Sequence, residues 1–324
     1  MRITLRSIAT ALPLALALAA PVPAEAQTYP NRAVKMIVPF GAGGPADLYA
    51  RALAKYLSDE TKQPFVIENR PGAGAVIGTD AVAKSPADGY TLLVMSNTHT
   101  TNESLIPNKP YDLMRDFVPV APINYSDLLM VVHPSVEAKT VAEFVALAKK
   151  DAGKLNYASS GPGTPYHMAG ELFKAMSKTD IVHIPHKASG DARNSVLSGN
   201  VQMMLDAVTT MTELATGGKV RAVATTGLTR NPLTPDLPTV AETIPGYEAT
   251  IWLGVMAPKD TPKEVVAYLN AAIKKVVNAQ EVKDTWQKQG AVPMAMTPPE
   301  FDAYMRKDID KWAEVVKVSG AKVQ

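Results

Sequence analysis

Beyond residue 33 the chain alternates short, continuous apolar runs with longer stretches whose apolar residues recur at helical spacing. "VKMIVPF" is followed by "ADLYARALAKYLSDE", "PFVIENR" by "VIGTDAVAKS", "DLLMVVHP" by "TVAEFVALAKKDA", and "LNYASS" by "YHMAGELFKAMSK". A short unbroken apolar run suits a strand covered on both faces, and the wider spacing suits an amphipathic helix. The repeated order strand, helix, strand predicts an α/β fold with mainly parallel sheets. After "IWLGVMAP" the pattern changes. Residues 262 to 279, 280 to 289 and 298 to about 319 read as three helices with no strand between them, packing back on the first part of the chain.

The first 26 residues stand apart. Arg2 and Arg6 precede "IATALPLALALAAPVP", and "AEA" follows at 24 to 26. A charged start, a short apolar stretch and a small-x-small site make a secretory signal peptide, with cleavage expected after Ala26. The stretch is too short, and too interrupted by Pro13, for a membrane anchor. Export together with the absence of cysteine places the protein in a periplasm, held together by core packing alone. Lys and Arg nearly balance Asp and Glu, 33 against 31, so there is neither a basic stripe for nucleic acid nor a polybasic patch for lipid. The length suits two lobes, and a monomer in solution is expected.

Two glycine-rich turns carry the candidate chemistry. "FGAGGPADL" at 40 to 48 and "SGPGTPYHM" at 160 to 168 align at an offset of 120 residues. Gly41 meets Gly161, Gly43 meets Gly163, Pro45 meets Pro165 and Asp47 meets His167. Each follows an apolar strand and opens a helix, with Gly44 or Thr164 at the cap. A helix start presents unpaired N–H groups, so glycines that let a ligand approach make an anion site without a charged side chain. The spacing fits neither the dinucleotide motif G-x-G-x-x-G nor a P-loop.

Enzymatic readings fare worse. "YASSGPG" misses the G-x-S-x-G elbow, so Ser159 and Ser160 read as ligand hydroxyls or caps, although a hydrolase using Ser160 or His167 stands as an alternative. His183 and His186 flank Pro185 on a strand and face opposite ways. His167 and Glu171, at i and i+4, lack a third ligand and read as a surface pair. No metal, cofactor or catalytic residue is expected. Lys187, just past "IPH", is a candidate partner for a ligand carboxylate.

Several ordered motifs together carry a resemblance: "YPNRAVKMIVPFGAGGPADLYAR", "ENRPGAGAVIGTDAVAKSPADGYTLL", "LNYASSGPGTPYHMAGELF", "IPHKASGDA", "DLPTVAETIPGYEATIWLGVMAP" and "TPKEVVAYLN". From about Tyr29 onward the chain resembles the Bug-type solute-binding proteins of tripartite tricarboxylate transporters. The resemblance implies a type II-like periplasmic binding protein of two α/β lobes joined by two crossing strands, with a small carboxylate held in the cleft between them. It implies lobe one at 27–127 plus 251–324, lobe two at 128–250, and integral-membrane transporter subunits as partners. A ligand-presenting role in a sensory system is the alternative. Carried over, the site comprises Phe40, Gly41, Ala42, Gly43, Gly44, Pro45 and Ala46, with Gly74 and Ser96. From lobe two come Ser159, Ser160, Gly161, Gly163, Thr164, His167, His186, Lys187 and Asp206. Where the family often has glycine, glycine and tyrosine, this chain has Ala75, Ala188 and His186.

Overall fold

A computed structural model gives the structure of residues 29–322. The signal peptide expected at residues 1–26 and its cleavage point lie outside the described residues. In chain order the elements are β1 (Val34–Val38), α1 (Pro45–Thr61), β2 (Phe65–Asn69), α2 (Val76–Ala83), β3 (Thr91–Ser96), α3 (Asn97–Leu105), α4 (Leu113–Asp116) and β4 (Phe117–Val132). Then follow α5 (Val141–Lys150), β5 (Asn156–Ser159), α6 (Pro165–Ser177), β6 (Val182–Pro185), α7 (Ser189–Leu197), β7 (Met203–Ala207), α8 (Val208–Thr216) and β8 (Arg221–Thr225). The chain closes with β9 (Thr250–Pro258), α9 (Lys263–Asn278), α10 (Gln280–Gln287), β10 (Ala291–Pro293) and α11 (Pro298–Ser319).

The strands run in the order β2-β1-β3-β9-β4-β7-β5-β6, with β8 and β10 added against β4. The expected parallel pairing holds for β1 with β2 and β3, and for β5 with β6 and β7. The two groups are joined by β4 and β9, which lie antiparallel. Their pairing runs from Phe117↔Pro258 to Asp127↔Thr250, and from Leu128 onward β4 pairs with β7 instead. At 16 residues β4 is far longer than an ordinary strand, because it serves both halves.

Each half is covered on both faces, as the unbroken apolar runs require. Along β1, Val34, Met36 and Val38 enter one cluster with Leu53, Leu92, Ile273 and Trp286, whereas Ile37 enters another with Leu93, Trp252 and Phe301. Along β4, Leu128, Met130 and Val132 pack with Phe144, Tyr157 and Phe173, and Leu129 and Val131 pack with Val196, Met204 and Met211. The period of two in a strand produces this division.

The last third departs from expectation in two ways. A short strand, β10, separates α10 from α11 and pairs with Asn124–Ser126 of β4. Pro293 ends it, and three residues gave no periodicity to read. Also, α11 does not stay on one half. Phe301 and Met305 belong to the cluster of Trp252, and Trp312 and Val315 to that of Phe144. A helix of 22 residues is about 33 Å long, enough to reach across. Among the described residues no helix is long and apolar enough to cross a membrane.

Candidate functional site

The glycine turns follow the C-terminal ends of β1 and β5 and share one local design. Gly43 and Gly163 both lie in the left-handed region, φ 76° and 74°, which an L side chain rarely adopts. Their N–H groups donate to the side chain four residues on: Gly43 N to Asp47 Oδ2 at 2.9 Å, and Gly163 N to His167 Nδ1 at 3.1 Å. Pro45 and Pro165 open the two helices. The correspondence at 120 residues is therefore structural, down to the residue that ties each turn.

The anchors differ in charge. Asp47 is buried, and its Oδ1 receives Asn69 Nδ2 and Arg51, both at 2.9 Å. Burial pushes its carboxyl up, but the bonds from Arg51, Gly43 and Asn69 outweigh this and hold it below the usual range. His167 is also buried, stacked on His183 with ring centroids 4.0 Å apart. Desolvation, helped by Lys174, lowers its pKa to about 4, so the ring is neutral and free to accept the Gly163 N–H. The pair with Glu171 is thus a correction to the surface reading. Both side chains are buried, 3.9 Å apart, and Glu171 is engaged by Tyr157 at 2.5 Å and Lys174 at 3.0 Å. Apolar residues on every side of α6 pull this face inward.

The remaining expected residues fall around the same seam. Phe40 sets its ring edge-on to His99, and its carbonyl accepts Asn69 Nδ2. Ser96 caps α3 by accepting the Thr98 N–H at 3.2 Å. Ser159 is a loop cap, receiving Gly161 N at 3.1 Å and meeting His183 Nε2 at 2.6 Å. Thr164 caps α6 and donates to Gly161 O at 2.7 Å. His186 is tied to the Ile184 carbonyl at 3.0 Å. Asp206 is fully buried, with Oδ1 on Ala207 N at 2.7 Å and Oδ2 on Arg193 Nε at 2.5 Å. Lys187 stands exposed in the turn before α7. Ala75 has φ 75°, a left-handed backbone that explains why glycine suits this position.

These residues meet across the seam. A Cβ built on Gly41 would lie 3.9 Å from Ala188 Cβ, and one on Gly44 3.9 Å from Ser189 Oγ. One on Gly74 would be 3.7 Å from the Pro162 carbonyl, and one on Gly163 only 2.9 Å from Asn102 Oδ1. Tyr49 and Thr209 share a hydrogen bond of 3.0 Å from α1 to α8. Between them lies a cavity of about 10 Å³, lined by Pro45, Tyr49, Asn124, Ala207, Thr209 and Ile251 among others. A larger hollow, about 300 Å³, lies against β6, lined by Pro162, Lys174, His183 and Pro185 among others. Ser160 lies half-buried in the second turn.

Sequence reasoning missed Asn69, Tyr49, Thr209 and Arg193. It also missed the buried polar run Asn97–Asn102, in which Asn97 Oδ1, Thr98 Oγ1 and Asn102 Oδ1 make no hydrogen bond among the described residues. The signal was present in "SNTHTTN", a helix start without an apolar stripe, which has no reason to be buried except for what it faces.

Comparison with known proteins shows the family. Residues 49–321 match the model of the tripartite tricarboxylate transporter family receptor. The chain belongs to that family. It is 38% identical to protein BugT of Bordetella pertussis over 93% of this chain and 94% of that one. An R. palustris protein solved with adipate superposes with a TM-score of 0.88 at 33% identity, covering 91% of this chain and all of that one. The periplasmic binding protein BugD superposes at 0.85 with 34% identity and the same coverage. The receptor is thus a solute-binding protein of the periplasmic binding protein superfamily, and not an enzyme.

Proposed function

We propose that this receptor works in the periplasm, closes two lobes on a small carboxylate and passes it to integral-membrane transporter subunits. The lobes are residues 27–127 plus 251–324, and 128–250. Their boundary falls where the β4–β9 pairing ends at Asp127↔Thr250, with α11 as a third connection. The paired turns carry the reading. Two helix starts of one design border the seam, one on each lobe: the first turn approaches Ala188 and Ser189 at the start of α7, and the second approaches Asn102 and Leu105 of α3. The first is the better anion receptor, because Gly44 has no side chain and no capping group competes for the N–H groups of the first turn. The ligand carboxylate sits at Phe40–Ala46, with Ser96 and Gly74 beside it and Ser159–Thr164 opposite. The adipate in the R. palustris relative is a ligand of this class.

Thermal unfolding in a panel of aliphatic and aromatic acids tests the reading. An acid at 100 times its dissociation constant should add roughly 2.7 kcal/mol of stability. No shift from any mono-, di- or aromatic carboxylate, with a shift from a sugar or an amine instead, would overturn it.

A further inference from the structure

We infer that Arg193, held in place by Asp206, is the cation through which the second lobe reads a second anionic group on the ligand. This rests on the carboxylate reading above. Two basic side chains are available near the wall that faces Gly41–Gly44. Lys187 is exposed, so a carboxylate bound to it stays in water and gains little. Arg193 is different, with a side chain 15% exposed and its partner Asp206 at 0%.

The guanidinium has work left to do. Its Nε is on Asp206 Oδ2 at 2.5 Å, whereas its Nη2 is buried and makes no hydrogen bond among the described residues. An unpaired donor on a buried charge is costly, more so than a neutral one. Asp206 cannot be the ligand's partner in the same way, since the Ala207 N–H and Arg193 occupy its two oxygens. It is a holder: it fixes the planar fork and balances its charge. An arginine fork held on one edge leaves a donor edge that a carboxylate matches in shape.

Position supports the assignment. Arg193 lies one turn into α7, whose first residue, Ser189, approaches Gly44, and side chains on a helix lean back toward its start. Ala207, next to Asp206, lines the cavity shared with Pro45 and Tyr49. Tyr166 is buried beside both members of the pair. The ion pair therefore stands in the wall opposite the first glycine turn, where the far end of a short diacid arrives.

Calorimetry on the mature chain tests this with straight-chain diacids from malonate to suberate and their monomethyl esters. Wild type should bind its best diacid about tenfold or more above the matching ester. The double variant R193M/D206N, which leaves no buried charge unpaired, should lose that preference while holding the ester as before. Arg193→Lys should narrow it, and Lys187→Met should leave it unchanged. An unchanged preference in a double variant that melts cooperatively would overturn the inference, as would loss of preference in Lys187→Met. If the double variant does not fold, an unchanged preference in Arg193→Lys overturns it. Equal binding of diacid and ester by wild type removes this inference alone. Binding of neither acid nor ester removes the carboxylate reading and the inference with it.

Discussion

The two glycine turns have the same backbone and opposite surroundings. Around Gly43 the turn is open: Ala42 and Gly43 are exposed, a Cβ on Gly43 would meet nothing within 4 Å, and Gly44 offers no side-chain cap. Around Gly163 it is shut: Gly163 and Thr164 are buried, Thr164 takes the His167 N–H, and Asn102 and Leu105 of α3 crowd the glycine. One turn is tied by a charged carboxylate and the other by a neutral imidazole. The open turn has no side-chain cap on its helix, its Gly43 N–H being taken by Asp47, and the shut turn packs against Asn102 and Leu105 of α3.

Acid should separate the turns most strongly. His167 falls from its ordinary 6.5 to about 4 in the fold, because burial disfavours the imidazolium. Between those values the unfolded chain binds the proton and the folded one does not, so stability is lost as pH falls from about 6.5 toward 4. A shift of that size is worth ~3 kcal/mol at full development. His99, lowered to about 4, and His183, lowered to about 3, act in the same direction. Asp308 opposes them: buried against Thr100, Trp252 and Trp312, its carboxyl rises to about 6, and its contribution is present below pH 4 and lost as pH rises to 6. Three histidines outweigh one aspartate. Melting temperature should therefore drop between pH 7 and pH 4, and His167→Gln should blunt the drop. The Asp47 anchor, its carboxyl below the usual range, should stay ionised until lower pH. Amide exchange at Gly163 should then rise at a higher pH than exchange at Gly43; the reverse order would contradict the assignment of anchors.

Much of this was legible in sequence, for identifiable reasons. Strands covered on both faces write themselves as unbroken apolar runs, so the α/β order was readable, whereas of the long β4 only the end in "DLLMVVHP" was. The turns were readable because the left-handed backbone at Gly43 and Gly163 favours glycine. What stayed hidden depends on partners distant in the chain. Arg193 looks like a solvated helix residue until Asp206, 13 residues on, is brought under it. His167 and Glu171 look like a surface pair until the Tyr157 hydroxyl and the His183 ring cover them. The reach of α11 is set by which cluster receives Trp312, and no local pattern encodes that.

Substituting the matched glycines sharpens the contrast at a smaller scale. Alanine at either site pays for a left-handed backbone, about 1–2 kcal/mol. At Gly43 the methyl meets no other protein atom within 4 Å, so any further effect falls on the ligand. At Gly163 the new methyl would sit 2.9 Å from Asn102 Oδ1 and Leu105 Cδ2, so α3 must give way. Gly163→Ala should therefore cost a further 1–2 kcal/mol or so by overpacking and weaken ligand binding in proportion. Gly43→Ala should lower melting temperature and leave closure intact in small-angle scattering. Equal effects from both would mean that the second turn does not bear on the other lobe.

The smallest effect tests whether hydrogen bonding helps hold the two proposed lobes together. Tyr49 on α1 and Thr209 on α8 meet at 3.0 Å, and the phenol is pushed up to about 12 by burial, so it is a neutral donor or acceptor throughout. The bond joins α1 to α8, and so the first proposed lobe to the second. Removing it with Tyr49→Phe keeps the ring on Trp286, centroids 5.4 Å apart, and so spares the core. The loss should be about 0.5–1.5 kcal/mol, and Thr209→Val should cost a similar amount. Because the penalty falls on the closed form, it should appear as a several-fold faster ligand dissociation, with the melting temperature of the unliganded protein nearly unchanged. The double variant should be no worse than either single one, since both remove the same bond. Additive losses would show that each hydroxyl has a separate partner, and that closure rests on the packing of the shut turn alone.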